Sequence, residues 1–117
     1  MAYVDGFLVP VPKDKLDAYK EMARLGAEVW MEHGALSYVE CLADDVPYGE
    51  VTSFPRAVQV TDDEIVIFSW ITYKDRASRD EINAKVMADE RLKGYMDSMP
   101  FDGKRMIFGG FQAFLER

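Results

Sequence analysis

Apolar positions alternate along the first dozen residues. The stretch "YVDGFLVPV" puts Tyr3, Phe7, Val9 and Val11 on one side and Val4, Leu8 and Pro10 on the other, which predicts a strand that is apolar on both faces. The period then lengthens. In "DKLDAYKEMARLGAEVWMEHG" the residues Leu16, Tyr19, Ala23, Gly26, Trp30 and His33 recur every three or four positions, predicting an amphipathic helix of about 20 residues and about 30 Å. Asp14 stands where a cap would start it and Gly34 where it would stop. "ALSYVECLA" predicts a second strand, and "DDVPYGEVTSFPR", with two prolines and a glycine, predicts a loop. "AVQVTDDEIVIFSWITYK" predicts a hairpin turning at Thr61-Asp62-Asp63, its second arm a central strand rich in β-branched and aromatic residues. "SRDEINAKVMADERLKGYM" predicts a second helix, with Ser78 and Glu81 at capping-box spacing, Ile82, Val86 and Met87 turned inward, and an end near Gly94. A last strand follows from Lys104 to about Leu115, interrupted by Gly109-Gly110.

The order β-α-β-β-α-β, with an additional strand arm in the middle, predicts an α+β fold. It suits a ferredoxin-like antiparallel sheet with both helices on one face, formed by residues 1–117 as a single domain. The other face should then be polar, and it is not. Ile65, Ile67 and Ile71 oppose Val66, Phe68 and Trp70 on one strand, while Met106, Phe108 and Phe114 oppose Ile107, Phe111 and Leu115 on the last. No element is left over to cover a second apolar face, so a second copy packed sheet against sheet is the expected partner. In that frame Gly109-Gly110 marks a bend or bulge in a strand that curls around a shared barrel, the alternative being close approach by a ligand.

Charge and composition narrow the classes. The chain has 14 Lys+Arg against 21 Asp+Glu, a formal charge of -7, and shows no local basic patch, which argues against nucleic acid and against an anionic membrane surface. The start of the chain lacks a basic segment leading into an apolar one, and no apolar run approaches the roughly 20 residues of a membrane helix, so a cytoplasmic location is expected. Cys41 is the only cysteine; it has no intrachain disulfide partner and sits among apolar neighbours as a small hydrophobe, the alternative being a nucleophile. With His33 the only histidine, the usual zinc ligand sets are unavailable within one chain. Neither Gly-x-Gly-x-x-Gly nor Gly-x-x-x-x-Gly-Lys occurs, no Ser/His/Asp triad can be argued from spacing, and no metal or cofactor is expected.

The segments "YVDGFLVPVP", "HGALSYVEC", "FSWITYKDRASRDEINAKVMAD" and "MPFDGKRMIFGGF" resemble the YbaA-like bacterial proteins, a family of unknown function in the dimeric α+β barrel superfamily. The resemblance spans nearly the whole chain. It implies a ferredoxin-like protomer and a sheet-to-sheet homodimer, and it carries over no catalytic residue. The superfamily includes small cofactor-independent monooxygenases and haem-degrading or haem-dependent enzymes, a likeness of fold alone.

Candidate chemistry comes from a few residues. His33, at the end of the first helix's inward stripe, suits a general base or a haem ligand; a histidine in a last helical turn also bonds terminal carbonyls. Glu40 shares a face with Leu36, Tyr38 and Leu42, and Asp5 with Tyr3, Phe7 and Val9. A carboxylate on an apolar face is either a base with a raised pKa or an ion-pair partner, here for Arg56 or Arg105. The alternation of large and small residues at Tyr19, Ala23, Gly26 and Trp30 either seats the helix close to the sheet or leaves a hollow walled by Tyr19 and Trp30. Arg76, Arg79, Asp80 and Asn83 crowd the start of the second helix, as solvated charges or as an anion site. The expected function is binding of a small, partly apolar molecule between the first helix and the sheet, with Tyr19 and Trp30 as walls. Arg56 and Arg105 are ligand-binding candidates, and His33 or Glu40 is the catalytic base. The alternatives are a non-enzymatic dimeric binding or interaction module, and a cofactor-independent monooxygenase-like enzyme.

Overall fold

A computed structural model describes residues 1–117. The strands are β1 (Tyr3–Pro12), β2 (Ser37–Leu42), β3 (Glu64–Tyr73) and β4 (Ile107–Gln112). They form one antiparallel sheet in the spatial order β2-β3-β1-β4, the ferredoxin-like order. Two long helices, α1 (Leu16–Glu32) and α3 (Arg76–Met87), cover one face, and the short helices α2 (Phe54–Ala57) and α4 (Lys93–Asp97) lie in the connections. No helix is long and apolar enough to cross a membrane.

Alternation sets which residues meet the helices. Tyr3, Asp5, Phe7, Val9 and Val11 of β1 lie opposite Tyr73, Ile71, Ser69, Ile67 and Ile65 of β3, and α1 lays Tyr19, Ala23, Gly26 and Val29 on this face. The core has two centres: Val29, Ile71, Tyr73, Ile82 and Val86 at one end, and Val9, Val11, Tyr19, Ala23 and Ile67 at the other. A fully buried residue of this size contributes about 1.5–3 kcal/mol, enough that shared burial, rather than the helices' own propensities, fixes where they lie. Gly34, at φ +117°, ends α1 in a conformation that glycine adopts without strain.

The opposite face is apolar and largely open, covered at the end where Pro10 and Val66 lie buried. Val4, Leu8, Val66, Phe68, Trp70, Ile107 and Phe111 share it; Phe111 is 65% exposed, and Phe54 of α2 leans on Phe68, with ring centres 5.8 Å apart.

Several local expectations are corrected. The first arm of the Thr61-Asp62-Asp63 hairpin is not a strand. Ser53 accepts from the Arg56 N–H, Pro55 occupies the first turn, and the segment folds as α2, after which Val58 plugs the core. There is accordingly no additional strand arm. Asp14 caps nothing by its side chain, because residues 13–15 form a tight turn leading into α1. α3 is capped by Asp75, which accepts from the Ser78 N–H at 2.8 Å, in place of the Ser78–Glu81 box. It ends at Met87, well before Gly94, and Met87 is half exposed. β4 is confined to residues 107–112, and Phe114 and Leu115 lie exposed beyond it.

Gly109-Gly110 is neither bend nor bulge. The pairing of β1 with β4 runs without a slip from Tyr3↔Gln112 to Leu8↔Ile107, and neither glycine has positive φ. A Cβ at Gly110 would fall 2.6 Å from Arg79 Nη2 and 2.7 Å from Tyr3 Cε2. The missing side chain makes room for an arginine from α3 to lie on a tyrosine of β1.

Candidate functional site

Asp5 and Ser69 are the only buried polar residues, and both lie on the helix-facing side of the sheet. Ser69 pairs with Glu40 of β2 and Asp5 lies diagonally across from it, opposite Ile71; the three are polar groups on an otherwise apolar floor. Above this floor α1 and α3 do not close. A cavity of about 430 Å³ remains, floored by Asp5, Ser69 and Glu40 and walled by Tyr19, Trp30 and Arg79. Five of the seven methionines, Met22, Met87, Met96, Met99 and Met106, contribute to its lining, a flexible and polarizable wall that can settle around a flat apolar body.

Glu40 forms one pole. Tyr19 Oη donates to its Oε1 at 2.7 Å and Tyr38 Oη to its Oε2 at 2.9 Å. Burial raises the Glu40 carboxyl above the ordinary carboxylate range, outweighing the two hydroxyls that favour its charged form. Burial, with the Glu40 charge alongside, also pushes both phenols far up, so the tyrosines act as fixed donors. Gly26 lies beneath this group: a Cβ there would be 3.0 Å from Tyr38 Oη, so the helix has no side chain where the hydroxyl reaches Glu40. A second, more open hollow of about 330 Å³ between α1 and β2 also touches Tyr19, Tyr38 and Glu40, giving Glu40 a route to water.

The opposite pole gathers residues from β1, β3 and both long helices. Asn83 Oδ1 accepts from Trp30 Nε1 at 3.1 Å and from Tyr73 Oη at 3.2 Å. Since an indole N–H only donates, the amide orientation is fixed by chemistry. Burial and the nearby Asp5 carboxylate hold the Tyr73 phenol above its usual range. Arg79 Nη2 donates to Tyr3 Oη at 2.9 Å, with the guanidinium carbon 4.8 Å from that ring's centre. The Arg79 Nε is buried without a hydrogen-bond partner, 3.7 Å from Asp5 Oδ1 and 3.4 Å from Asp80 Oδ1.

The structure therefore brings Tyr19, Trp30 and Glu40 to one cavity and leaves three other candidates outside it. His33 follows the last turn of α1 with Nε2 3.0 Å from Asp89 Oδ2; Asp89 is also bound by Arg91, which with His33 holds its carboxyl well below the usual range. Arg56 donates to the carbonyls of Tyr48 and Gly49 and stacks over the Tyr48 ring at 4.1 Å. Arg105 clamps Glu64 through two bonds, at 2.8 and 2.6 Å, and Asp102 at 2.9 Å. Neither arginine pairs with Glu40 or Asp5, as ion pairing would have required: two tyrosine hydroxyls hold Glu40, and Asp5 faces Arg79. Tyr38 is a further member of the site, and its place two residues before Glu40 is the sequence signal that puts it on the same face. The pairing of Asp5 with Arg79 spans most of the chain and leaves no local trace.

Residues 2–103 match the family described as "Protein of unknown function (DUF1428)". The protein YbaA of Escherichia coli strain K12, described as uncharacterized, is 54% identical over 116 residues, covering 99% of each chain, and its counterpart in Shigella flexneri matches to the same extent. Among solved structures, a protein of Nitrosomonas europaea named as a candidate antibiotic biosynthesis monooxygenase superposes with a TM-score of 0.59 at 16% identity, over 97% of this chain and 90% of its own. A dimeric ferredoxin-like protein from an uncultured marine organism gives 0.58 at 13%, over 99% and 98%. These two likenesses concern the fold.

Proposed function

The chain belongs to the DUF1428 family of proteins of unknown function, and on that premise we propose, from the site alone, that it binds a small, partly apolar molecule in the helix–sheet cavity. Glu40 is the group that exchanges a proton with the molecule. The observation carrying this reading is the placement of one carboxyl, raised by burial, between two tyrosine donors on the wall of a 430 Å³ cavity. A carboxylate has about four lone-pair positions, and two tyrosines fill two of them. What remains can receive a proton from an acidic C–H or O–H of the bound molecule, and the outer hollow offers that proton a way to solvent. Proton abstraction is also the opening step of a cofactor-independent oxidation in which molecular oxygen takes the electrons, the enzymatic form of this proposal.

The working unit we propose is a homodimer built on the bare sheet face. Its support is the apolar surface of Phe68, Trp70, Ile107 and Phe111 and the dimeric assembly named for one structural relative. A non-enzymatic dimeric module would share that interface and leave the cavity without a tenant.

Native mass spectrometry of gently purified protein, joined to titration with the neutral apolar dye Nile red, tests both parts. The expected result is a dimer that takes up the dye, with uptake reduced when Ser69→Phe fills the floor. A monomer refutes the interface, and dye uptake unchanged by Ser69→Phe refutes the cavity.

A further inference from the structure

Asp5 and Arg79 leave an unfilled hydrogen-bonding position between them. Asp5 is 6% exposed, and the one hydroxyl close beside its carboxylate, that of Tyr73, is shared with Asn83, to which it donates at 3.2 Å. Buried carboxylates are ordinarily supplied with donors. Across a 3.7 Å gap, the Nε of Arg79 is a buried donor with no acceptor. One oxygen at ordinary hydrogen-bonding distance, about 2.8 Å, from both atoms spans such a gap, provided it both donates and accepts.

Charge narrows the group further. Arg79 already faces two carboxylates, Asp5 at 3.7 Å and Asp80 at 3.4 Å, so a ligand carboxylate would meet more negative charge than positive. An ammonium would satisfy Asp5 but oppose Arg79 and leave its Nε unpaired. A hydroxyl satisfies both atoms and adds no charge. The space leading away from this position is bounded by Trp30, Phe108 and the methionines, surfaces that suit an aromatic ring.

We propose that the Asp5–Arg79 pole is a hydroxyl-recognition site, and that the cavity's ligand is an uncharged hydroxylated aromatic compound whose O–H donates to Asp5 Oδ1 while its oxygen accepts from Arg79 Nε. This rests on the cavity reading above and adds to it the ligand's class and orientation: the hydroxyl is held at Asp5 and Arg79, and another part of the ring system is presented to Glu40.

Calorimetric titration of the full chain with naphthalene, naphthol, naphthoate and naphthylmethylammonium tests this, since one ring carries in turn no polar group, a hydroxyl, an anion and a cation. Naphthol is expected to bind about tenfold or more tightly than each of the others, a difference of about 1.4 kcal/mol. In Asp5→Asn naphthoate should gain on naphthol, because the repelling charge is gone. The comparison within the unaltered protein stands even if that variant does not fold. Naphthoate or the ammonium binding tightest overturns the assignment, since one charge of the pair would then dominate. Equal binding of all four overturns it too, while leaving the cavity intact. If neither these compounds nor Nile red binds, the cavity reading itself falls and this inference with it.

Discussion

Replacing Gly110 and Gly109 singly by alanine separates two explanations of a glycine pair in a strand. At Gly110 the new methyl would collide with Tyr3 Oη and stand 2.6 Å from Arg79 Nη2 and 2.7 Å from Tyr3 Cε2, so both side chains must retreat by about 1 Å to restore ordinary contact. Tyr3, which supplies two of the three nearest atoms, is set in the core with Ile71, Tyr73 and Ile82, so its ring must shift as well and Arg79 is displaced with it. That loses its bond to Tyr3, worth about 1.5–3 kcal/mol for a charged donor, and its placement over the ring, worth about 0.5–1 kcal/mol. Removing glycine from a strand returns about 0.5–1 kcal/mol, which leaves a net destabilisation of about 1–3.5 kcal/mol. At Gly109 the methyl meets only Phe111, at 3.5 Å, and the change should be neutral or stabilising by up to about 1 kcal/mol. Urea unfolding at matched protein concentration measures both. Gly109 lies on the bare face, so a cost there that depends on protein concentration belongs to contact between copies. A concentration-independent cost equal to that of Gly110 would refute the close-approach explanation and restore the bend.

Three further outcomes follow from the same geometry. Glu40→Gln should abolish proton exchange with a bound substrate while the fold persists; in the unaltered protein the rate should climb with pH along a limb lying above the ordinary carboxyl value of 4.5, and a limb at or below it would remove Glu40 from the role. The raised carboxyl also contributes stability below 4.5 that is lost as pH rises through its folded value, and Glu40→Gln should flatten that loss in a pH series of melting curves. Arg105→Ala should cost about 1.5–2 kcal/mol, since it leaves the half-buried Glu64 carboxylate with only the Thr61 N–H as donor. Because Arg105 holds Glu64 down to about 2, that stability is present above 4.5 and lost as pH falls toward 2, so a variant whose acid unfolding matches the parent's would refute the clamp. Phe111→Asp should convert a dimer to a monomer in sedimentation, and an unchanged dimer would place the interface elsewhere.

Periodicity carried the sheet, the two long helices and the bare apolar face, because strand and helix repeats are local and burial on each face is forced by them. The first arm of the supposed hairpin misled because Val58 and Val60 alternate as a strand would, while Ser53 and Pro55 were already starting a helix turn. The walls of the cavity were legible for the same reason the helix was: Tyr19 and Trp30 lie on the inward stripe of α1. Of the carboxylates' partners only Tyr38, two residues before Glu40, was. Glu40 is held by a tyrosine 21 positions earlier and Asp5 faces an arginine of α3, and such pairings depend on how elements pack, which no spacing encodes. His33 drew notice as the only histidine, yet rarity says nothing of position: the turn after α1 carries it to Asp89, outside the cavity.

The strand order has a consequence for how the chain is made. β1 leaves the ribosome before its partners, yet it ends between β3 and β4, whose residues lie some 50 to 110 positions later. Until then an apolar strand has no neighbour to bond. Pairings this distant in sequence make folding slow and leave strand edges open to wrong partners. Pro10 and Pro12 each lack the N–H that a second strand would need, so the C-terminal end of β1 makes a poor template for another chain while it waits.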